Sequence, residues 1–387
     1  MKIPSPPPPS AVDPGGVSSA LSARLREQAR AAGGWLRFDA FMRTALYEPG
    51  LGYYAGPSRQ FGRLARDGSD FVTAPELSPL FGQVLAGQAR AVMAASAPHV
   101  LEFGAGSGRL VADMLLALGD ACDSYAILDL SATLQALQRE TIGRIAPEHL
   151  HKVRWLDRLP SVFSGFVVGN ELLDAMPVRV VERSDGAWVE MGVEPECDAW
   201  RWAARPVDAP LRALLAERIP HAERLPDGYR TELAEEAPAF VATMASWLEK
   251  GVALLLDYGF PAAEFYHPQR VRGTLICHRG HRSDDDPLTD VGLKDITAHV
   301  DFTAVALAGQ DAGLDVLGYA SQGRFLLNAG LPALLESADF KARVAAQPLY
   351  TEHEMGELFK VIAFSRGLDP LVIDLSGLST GDRSHTL

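Results

Sequence analysis

The chain has 387 residues, 47% of them hydrophobic and 22% charged, and a net charge of −13. This balance is typical of a globular protein with one large domain or two modest ones, and it excludes a disordered chain. The negative charge argues against nucleic acid as a partner, because phosphate binding depends on Lys and Arg. An acidic surface suits solubility, or a basic protein partner.

Cysteine usage and the length of the apolar runs bear on metal binding, membrane insertion and the cellular compartment. The widely separated Cys122, Cys197 and Cys277 match neither a disulfide framework nor a zinc spacing, so we expect no metal and a reducing compartment. No apolar run is long enough to cross a bilayer, so we expect no membrane insertion. The first residues lack the patterns of a signal or transit peptide. On these grounds the sequence predicts a cytoplasmic protein.

Helical periodicity dominates the first part of the chain. Residues 1–17 are rich in Pro, Gly and Ser and are predicted to form a disordered tail. Helices are predicted at 18–32, at 38–47 and after Pro79. We interpret residues 18–98 as an N-terminal helical cover over the rest of the protein.

From residue 99 onward, short apolar strands alternate with helices. Strands are predicted at 99–103, 125–130, 153–156, 165–168, 252–257, 314–319 and 359–364. The helices between them include 109–118, 301–311 and a long one at 231–250 that Gly251 ends. This alternation predicts a Rossmann-like α/β fold, with about seven strands in a mostly parallel sheet and right-handed crossovers.

Two segments interrupt this pattern. Asp185-Gly186 stands between two β-rich runs in residues 178–193, which is a strong hairpin signal. The chain from there to Gly228 is predicted to be irregular apart from one short helix. We interpret 178–230 and 259–291 as insertions in a core that spans 99–370, followed by a C-terminal tail at 371–387.

A glycine-rich loop joins the first predicted strand of the sheet to the next helix. It consists of Gly104, Ala105, Gly106, Ser107 and Gly108. Glycines permit a tight turn and close approach of a ligand, and the helix N-terminus offers free N–H groups. A nicotinamide-binding loop would have Gly or Ala where Arg109 stands. The loop favours the methionine carboxylate and adenosine of S-adenosylmethionine over a pyrophosphate; the alternative is a simple tight turn.

Acidic residues flank the ends of the first three strands. Glu102 precedes the glycine loop and is a candidate cofactor-binding residue. Asp129 follows the second strand, where a carboxylate accepts ribose hydroxyls; the alternative is a helix N-cap, which Ser131 could also provide. Asp157 follows the third strand and is a candidate for the adenine amino group or for a neighbouring loop.

A polar segment follows the fourth strand, at the edge of the sheet where open α/β folds bind ligands. Methyl transfer requires a closely held and correctly aimed acceptor atom. Glu171 could bind a guanidinium by paired hydrogen bonds and localise its charge away from the attacking nitrogen. Asp174 would share a helical face with Glu171 if the segment were helical. The alternative is that Asn170 and Asp174 cap and brace a turn.

The chain resembles the MidA-type family of S-adenosylmethionine-dependent methyltransferases, which includes a mitochondrial complex I assembly-factor protein arginine methyltransferase. The resemblance runs from about residue 38 to residue 364 and lies in separated blocks. These blocks are 38–42, 45–47, 52–54, 70–82, 104–108, 170–177, 257–259, 273–275 and 295–302. The blocks at 70–82 and 170–177 are highly specific, because no helix or strand period demands their order of polar residues.

The resemblance implies a seven-stranded class I methyltransferase core with an N-terminal helical extension and inserted hairpin and helical elements. It implies S-adenosylmethionine as cofactor, with the three loop glycines in contact with it. It also implies ω-N dimethylation, symmetric in the mitochondrial member, of an arginine on a respiratory NADH dehydrogenase subunit, and so a protein partner. By the same resemblance Thr73 and Glu76 close the cofactor pocket, and Asn170 and Glu171 lie at the acceptor.

Two positions depart from the family pattern. Asp129 stands where Glu is expected, and Cys277-His278 stands where an aromatic pair is more usual, in the acceptor region. His278 and His281 are candidates for a substrate contact; metal binding is disfavoured because no third ligand is near in sequence. Two alternatives stay open: a small-molecule O- or N-methyltransferase, and an assembly factor that binds S-adenosylmethionine with little turnover.

Overall fold

The structure, a computed structural model, describes residues 14–56, 73–129, 131–369, 373 and 375–387. Its helices are α1 (Pro14–Ala31), α2 (Phe38–Tyr47), α3 (Ala74–Leu77), α4 (Pro79–Ala95), α5 (Arg109–Leu118), α6 (Ala132–Ile145), α7 (Ala209–Arg218), α8 (Glu236–Trp247), α9 (Ala262–Phe265), α10 (Phe302–Asp311), α11 (Gln322–Asn328), α12 (Leu331–Ser337) and α13 (Phe340–Tyr350). Most of the predicted tail at 1–17, and residues 70–72 of the block at 70–82, lie outside the described residues.

The strands follow in the same chain order. They are β1 (Leu36–Arg37), β2 (His99–Phe103), β3 (Ser124–Leu128), β4 (Val153–Leu156), β5 (Phe163–Asn170), β6 (Val178–Ser184), β7 (Ala187–Glu196), β8 (Ala199–Pro206), β9 (Arg230–Ala234), β10 (Leu248–Phe260), β11 (Ile276–Arg279), β12 (Arg282–Asp284), β13 (Asp295–Thr297), β14 (Val300–Asp301), β15 (Asp315–Ser321) and β16 (Phe359–Arg366).

The central sheet has the strand order β15-β16-β10-β5-β2-β3-β4, and β14 pairs with the end of β10. The five strands from β10 to β4 are parallel, and β16 runs antiparallel to both of its neighbours. The prediction of a mostly parallel, seven-stranded α/β core is confirmed. From β2 the chain first builds one half of the sheet through β3 and β4, then crosses back to β5. The strand order therefore reverses between β2 and β5, which is where such sheets bind ligands.

Helices cover both faces of the sheet. Val100 and Leu254 point to the face covered by α4 and α5, while their neighbours Leu101 and Leu255 point to the face covered by α8 and α10. Successive strand residues face opposite sides, so a strand buried on both faces is apolar throughout. Burial of each such side chain contributes roughly 1.5–3 kcal/mol. This packing fixes the carboxyl ends of the strands at one edge.

The N-terminal helices pack on the inserted strands. β1, β7, β6 and β9 form a second sheet, and β8 pairs with β7. Phe38 and Phe41 of α2 are buried in one cluster with Val180 of β6 and Val193 of β7. The predicted β6–β7 hairpin is present, and its turn residues Asp185-Gly186 both have positive φ, as a type I′ turn requires.

The long helix predicted at 231–250 is wrong. Residues 230–234 form β9, which pairs antiparallel with β6, and α8 begins only at Glu236. Pro238 then lies in the first turn of α8, where proline is tolerated, whereas it would break a helix that began at 231. Gly251 ends no helix: it lies in β10 opposite Gly165 of β5, and a Cβ on it would lie 2.0 Å from the Gly165 oxygen.

Several elements lie where the sequence predicted irregular structure or none. β8 pairs with β7 along its whole length. In the predicted insertion 259–291, β11 pairs with β12 and also with β13, which makes a small three-stranded sheet. Helices α11, α12 and α13 stand between β15 and β16. In the described part of the predicted C-terminal tail, the Arg383 N–H donates to the carbonyl oxygen of Tyr319 in β15. None of the described helices is both long and apolar enough to span a membrane.

Candidate active site

A cavity of about 1000 Å³ opens at the carboxyl edge of the sheet, at the point where the strand order reverses. It is lined by residues at or just after the carboxyl ends of β2, β3 and β5, by Tyr258 of β10, and by residues of the N-terminal cover. The predicted site residues among them are Thr73, Glu102, Gly104, Ala105, Gly106, Asp129, Asn170, Glu171 and Asp174. Glu76, Gly108 and Asp157 do not line it.

The glycine loop is a turn that side chains would obstruct. Gly104, Gly106 and Gly108 have φ values of 62°, 51° and 81°, in the left-handed region that favours glycine. Gly104 and Gly106 line the cavity. Gly108 is instead the N-cap residue of α5 and allows α6 to approach, since a Cβ on it would lie 2.9 Å from Cα of Gln138. The loop thus offers bare backbone to a ligand at the start of α5.

Asp129 accepts two hydrogen bonds, from the Ser131 N–H (2.9 Å) and from Nε2 of Gln138 (2.8 Å). The N-cap of α6 is Ser131, which accepts from the Leu134 N–H, so the capping alternative for Asp129 is not what the structure shows. Nε2 of Gln138 also donates to the Gly106 oxygen (3.2 Å), and its Oε1 accepts from Trp155 (2.9 Å). Gln138 thereby joins the glycine loop to the carboxylate after β3.

Glu102 is buried near the end of β2 and accepts a hydrogen bond from the Tyr125 hydroxyl. Burial raises the pKa of Glu102 to about 8, against the opposing hydrogen bond. Asp157, after the edge strand β4, lies in solvent 3.8 Å from Arg158, and its side chain is 92% exposed. The structure therefore does not bring Asp157 to the cavity.

The short helix α3 touches both halves of the site. Ser107 of the glycine loop donates a hydrogen bond to Glu76. The Ala74 N–H donates to Oε1 of Glu171 (3.4 Å). Thr73, just before the helix, lines the cavity. The N-terminal cover therefore contacts the glycine loop through Glu76 and the segment after β5 through Ala74.

The segment after β5 is a turn and not a helix. Glu171 has a φ of 51°, and its N–H donates to the Leu256 oxygen (2.8 Å). Oδ2 of Asp257 accepts from the N–H groups of Leu172, Leu173 and Asp174, at 3.0, 2.8 and 3.2 Å. Asp257 therefore fills the capping role that the sequence left open for Asn170 and Asp174, and their side chains are available to the cavity.

Burial and mutual repulsion dominate the electrostatics of this segment. Burial raises the pKa of Glu171 to about 8, and the charge of Asp174 adds to the effect. Burial also raises the pKa of Asp174 to about 6, although the Tyr258 hydroxyl donates to its Oδ2. Oδ1 of Asn170 and Oδ1 of Asp174 are buried without a hydrogen-bond partner among the described residues. Both orphaned oxygens can accept hydrogen bonds from a ligand.

Residues from distant elements complete this end of the cavity. The Tyr54 hydroxyl donates to both oxygens of buried Asp295, at 2.8 and 2.9 Å. Tyr47 stacks on Tyr54 with ring centroids 5.5 Å apart, and Tyr258 and His299 also line the wall. The sequence alone does not mark these side chains as site residues. They lie in separate blocks of family resemblance, and no spacing between the blocks shows that they meet.

His278 lines the cavity, whereas His281 lies exposed in the turn between β11 and β12 with a φ of 59°. Among the described residues, no three His, Cys, Asp or Glu side chains are grouped so as to hold a metal ion.

Arg109 is the one Lys or Arg among the described residues that line the cavity, and it is paired with Asp113 at 2.7 Å. The cavity is therefore strongly acidic.

These features fit S-adenosylmethionine. Bare glycine backbone at a helix start suits the methionine carboxylate, and Asp129 is placed for ribose hydroxyls. Leu128 and Leu134 provide apolar wall beside it for an adenine ring. An acidic cavity also suits the positive charge of a sulfonium.

Known proteins support this assignment. The family described as "putative S-adenosyl-L-methionine-dependent methyltransferase" matches residues 80–320. A "likely methyl transferase" from Burkholderia thailandensis, whose crystal structure is bound to S-adenosyl-homocysteine, is 50% identical over all of both chains, with a TM-score of 0.92. A second crystal structure from that organism is 47% identical, also over all of both chains, with a TM-score of 0.88.

More distant relatives carry a specific name. The zebrafish (Danio rerio) protein arginine methyltransferase NDUFAF7, mitochondrial, is 27% identical over 83% of this chain and 81% of its own length. The human protein of the same name is 28% identical over 76% of this chain and 70% of its own length.

These relatives contradict the prediction of a cytoplasmic protein, because they are mitochondrial. That prediction rested on free cysteines and on the character of the first residues. Free thiols persist wherever the surroundings are reducing, so cysteine usage does not single out the cytoplasm. The fold, the cofactor and the reaction class, by contrast, agree with the comparisons. The chain is an S-adenosylmethionine-dependent methyltransferase with a class I fold, and it belongs to the MidA-type family.

Proposed function

We propose that this enzyme methylates the ω-nitrogens of an arginine side chain in a protein. One observation carries the proposal: the carboxylates of Glu171, Asp174 and Asp295 line one end of the cavity, and no Lys or Arg among its described lining residues neutralises them. Buried carboxylates are costly unless a cation pairs with them. A cationic acceptor supplies that partner.

A guanidinium fits this group of carboxylates better than a compact cation such as an ammonium does. It is planar, stays protonated in proteins and carries five N–H donors, so it can bind two carboxylates at once. The orphaned oxygens of Asn170 and Asp174 are further acceptors. The rings of Tyr47 and Tyr54 offer faces on which a planar cation can stack.

The protein's part in the reaction is binding and orientation. When bound, S-adenosylmethionine supplies an electrophilic methyl group. The glycine loop, Asp129 and α3 hold the donor side, and Glu171 binds the acceptor so that its positive charge is drawn away from the attacking nitrogen. Holding both reactants in one cavity replaces a bimolecular encounter with an aligned, intramolecular step.

The finer assignment rests on relatives. The curated relatives at 27–28% identity are named protein arginine methyltransferases. We extend this to symmetric dimethylation of an arginine on a respiratory NADH dehydrogenase subunit, which the family resemblance supports. Elements outside the central sheet, including α3 and the β11–β13 sheet, add lining residues to the cavity, which favours a macromolecular acceptor over a small molecule.

The test compares Glu171→Gln with Glu336→Gln, a matched change on the exposed face of α12. Both variants should bind S-adenosylmethionine like wild type by calorimetry. Wild type and Glu336→Gln should transfer labelled methyl groups to a protein in a lysate of cells that lack this enzyme, and hydrolysis should release methylated arginine. Glu171→Gln should lose at least about 100-fold in rate, the range for removal of one electrostatic contact to the transition state.

The other outcomes are equally clear. Wild-type labelling of the same band by Glu171→Gln would make Glu171 structural. Label on small molecules alone would favour the small-molecule methyltransferase. Label on lysine after hydrolysis would retain a cationic acceptor but replace the arginine.

A further inference from the structure

The cavity contains the imidazole of His299 in addition to the carboxylates and tyrosines of its wall. His299 lies between β13 and β14, and its ring lines the cavity. The ring stands edge-on to Tyr258, 5.0 Å between centroids, and stacks on Phe260 at 5.3 Å. Tyr258 in turn donates to Asp174, one of the carboxylates proposed to hold the acceptor. His299 is therefore next to the group that would hold the acceptor.

Contacts with two other segments, at Thr274 and at Glu232 of β9, fix the position of His299. Its backbone N–H donates to Oγ1 of Thr274 (3.1 Å), and Thr274 donates from its N–H and its hydroxyl to buried Glu232 of β9. A Cβ on Gly273 would lie 2.1 Å from Oε1 of Glu232, so the close approach needs glycine there. These contacts join two separate blocks of family resemblance, 273–275 and 295–302, and they fix the backbone that carries the ring.

The two nitrogens of the His299 ring have different surroundings. Nδ1 is buried and has no partner at hydrogen-bonding geometry among the described residues. A ligand in the cavity therefore reaches the ring through Nε2. In a neutral imidazole one nitrogen donates and the other accepts, so a proton on Nδ1 leaves a lone pair on Nε2.

The surroundings keep the ring neutral. Burial and the positive charges of Arg270 and Lys360 together lower the pKa of His299 to about 4, although the backbone of Thr274 opposes them. Both cations lie over the ring of Phe260, on which His299 stacks. The remaining neighbour, Tyr258, holds its proton in the hydrogen bond to Asp174.

We infer that His299 accepts the proton that the acceptor nitrogen loses as it is methylated. As the new N–C bond forms, the C–S bond of the donor breaks and its electron pair stays on sulfur. The methylated nitrogen passes one proton to Nε2, so a guanidinium, a sulfonium and a neutral imidazole become a methylguanidinium, a thioether and an imidazolium. Two positive charges enter and two leave. The inference rests on the proposed cationic acceptor.

A neutral base suits this task better than the carboxylates do. Glu171 and Asp174 must stay ionised to hold the cation, and a carboxylate that took the proton would give up that attraction. The imidazole has no charge to lose and can pass its proton to solvent between turnovers. General-base contributions of this kind are typically 10²–10⁴-fold.

The test uses the full chain and two readouts. His299→Asn is compared with His221→Asn, an exposed position away from the cavity whose positive φ asparagine tolerates. His299→Asn should transfer methyl groups at least about 100-fold more slowly than wild type, with unchanged S-adenosylmethionine binding, and His221→Asn should match wild type. Thr274→Ser, which keeps the hydroxyl that holds the His299 backbone, should retain most of the rate that Thr274→Val loses.

The second readout is independent of turnover. With labelled histidine, the His299 resonance is the one among the chain's 10 histidines that His299→Asn removes. With S-adenosyl-homocysteine bound, N-acetyl-arginine methylamide should shift this Nε2 signal toward that of a hydrogen-bond acceptor, and its lysine counterpart should shift it less. If neither probe moves the signal, or if His299→Asn transfers at the wild-type rate, the inference is overturned. A larger shift with the lysine probe would retain the base and remove the arginine assignment.

Discussion

Asp257, near the end of β10, accepts a 2.8 Å hydrogen bond from the backbone N–H of Leu173 in the turn after β5. The same oxygen accepts from the N–H groups on either side of it, so one carboxylate sets the path of the acceptor segment. The acceptor side chains are therefore placed by a residue on a neighbouring strand, 84 positions later in the sequence. This relationship gives the first prediction.

Asp257→Asn should weaken the turn, because a neutral amide oxygen accepts three N–H groups less well than a carboxylate does. We expect a loss of about 1–3 kcal/mol in the free energy of unfolding and at least tenfold slower methyl transfer, with cofactor affinity unchanged. Denaturant unfolding and calorimetry measure these quantities. The exposed Asp315→Asn serves as control. Equal transfer rates in the two variants would show that the turn does not depend on Asp257.

Gly106→Val should abolish cofactor binding, because the side chain would enter the space beside the loop and valine resists a φ of 51°. Gly119→Val separates these causes: Gly119 has a φ of 55° but no atom within 4 Å of its Cβ position, and it does not line the cavity. Both variants should lose about 1–2 kcal/mol of stability through strain. Calorimetry that found the same weakened binding in both would point to strain alone.

Acceptor binding should strengthen as pH rises. Glu171 and Asp174 have pKa values of about 8 and about 6 before a cation binds, and a cation pairs with their ionised forms. Affinity for N-acetyl-arginine methylamide should therefore rise about tenfold per pH unit between pH 6 and 8, with release of a proton. Glu171→Gln should flatten this dependence. A calorimetric affinity that does not change over this range in wild type would contradict the pairing.

Thermal stability should fall as pH rises from 5 to 8. The folded-state pKa of Glu102 is raised to about 8 from 4.5, so between these values the folded protein binds more protons than the unfolded chain, and stability declines with pH. The slope from one such group is at most about 1.4 kcal/mol per pH unit. Glu102→Gln should reduce the fall in Tm measured by circular dichroism, whereas Glu336→Gln should keep the wild-type slope. Identical slopes in all three proteins would argue against a neutral Glu102.

Local signals in the sequence predicted local structure well. Helix α2 has the predicted bounds because both of its signals are local: the apolar period lies within it, and Pro49-Gly50 follows directly after its end. The β6–β7 hairpin was evident from Asp185-Gly186, which specifies its own turn. Gly251 was wrongly interpreted as the end of a helix. Glycine is required there because the strand that contains Gly165 approaches closely. A glycine required by tertiary packing looks the same in the sequence as one that ends a helix.

Some residues of the candidate site could be predicted from the sequence, and others could not. The glycine loop and the residues after β3 and β5 could be predicted, since parallel strands bring their carboxyl ends to one edge. Asp157 could not be excluded, because its distance from the cavity depends on how the chain turns after the edge strand β4. The pairing of Tyr54 with Asp295 joins residues 241 positions apart, and no spacing encodes it. His299 became a candidate only when its burial and neighbours were known.

The amide of Gln138 has a fixed direction, because Trp155 donates to its oxygen and leaves its nitrogen to serve Asp129 and Gly106. Asp129 consequently faces the cavity as a pure acceptor. Whatever occupies that corner must bring hydroxyl donors, which a free vicinal diol does and a phosphorylated sugar does not. A half-buried indole one strand away thus selects for an unmodified ribose and discriminates against nucleotides that carry a phosphate there.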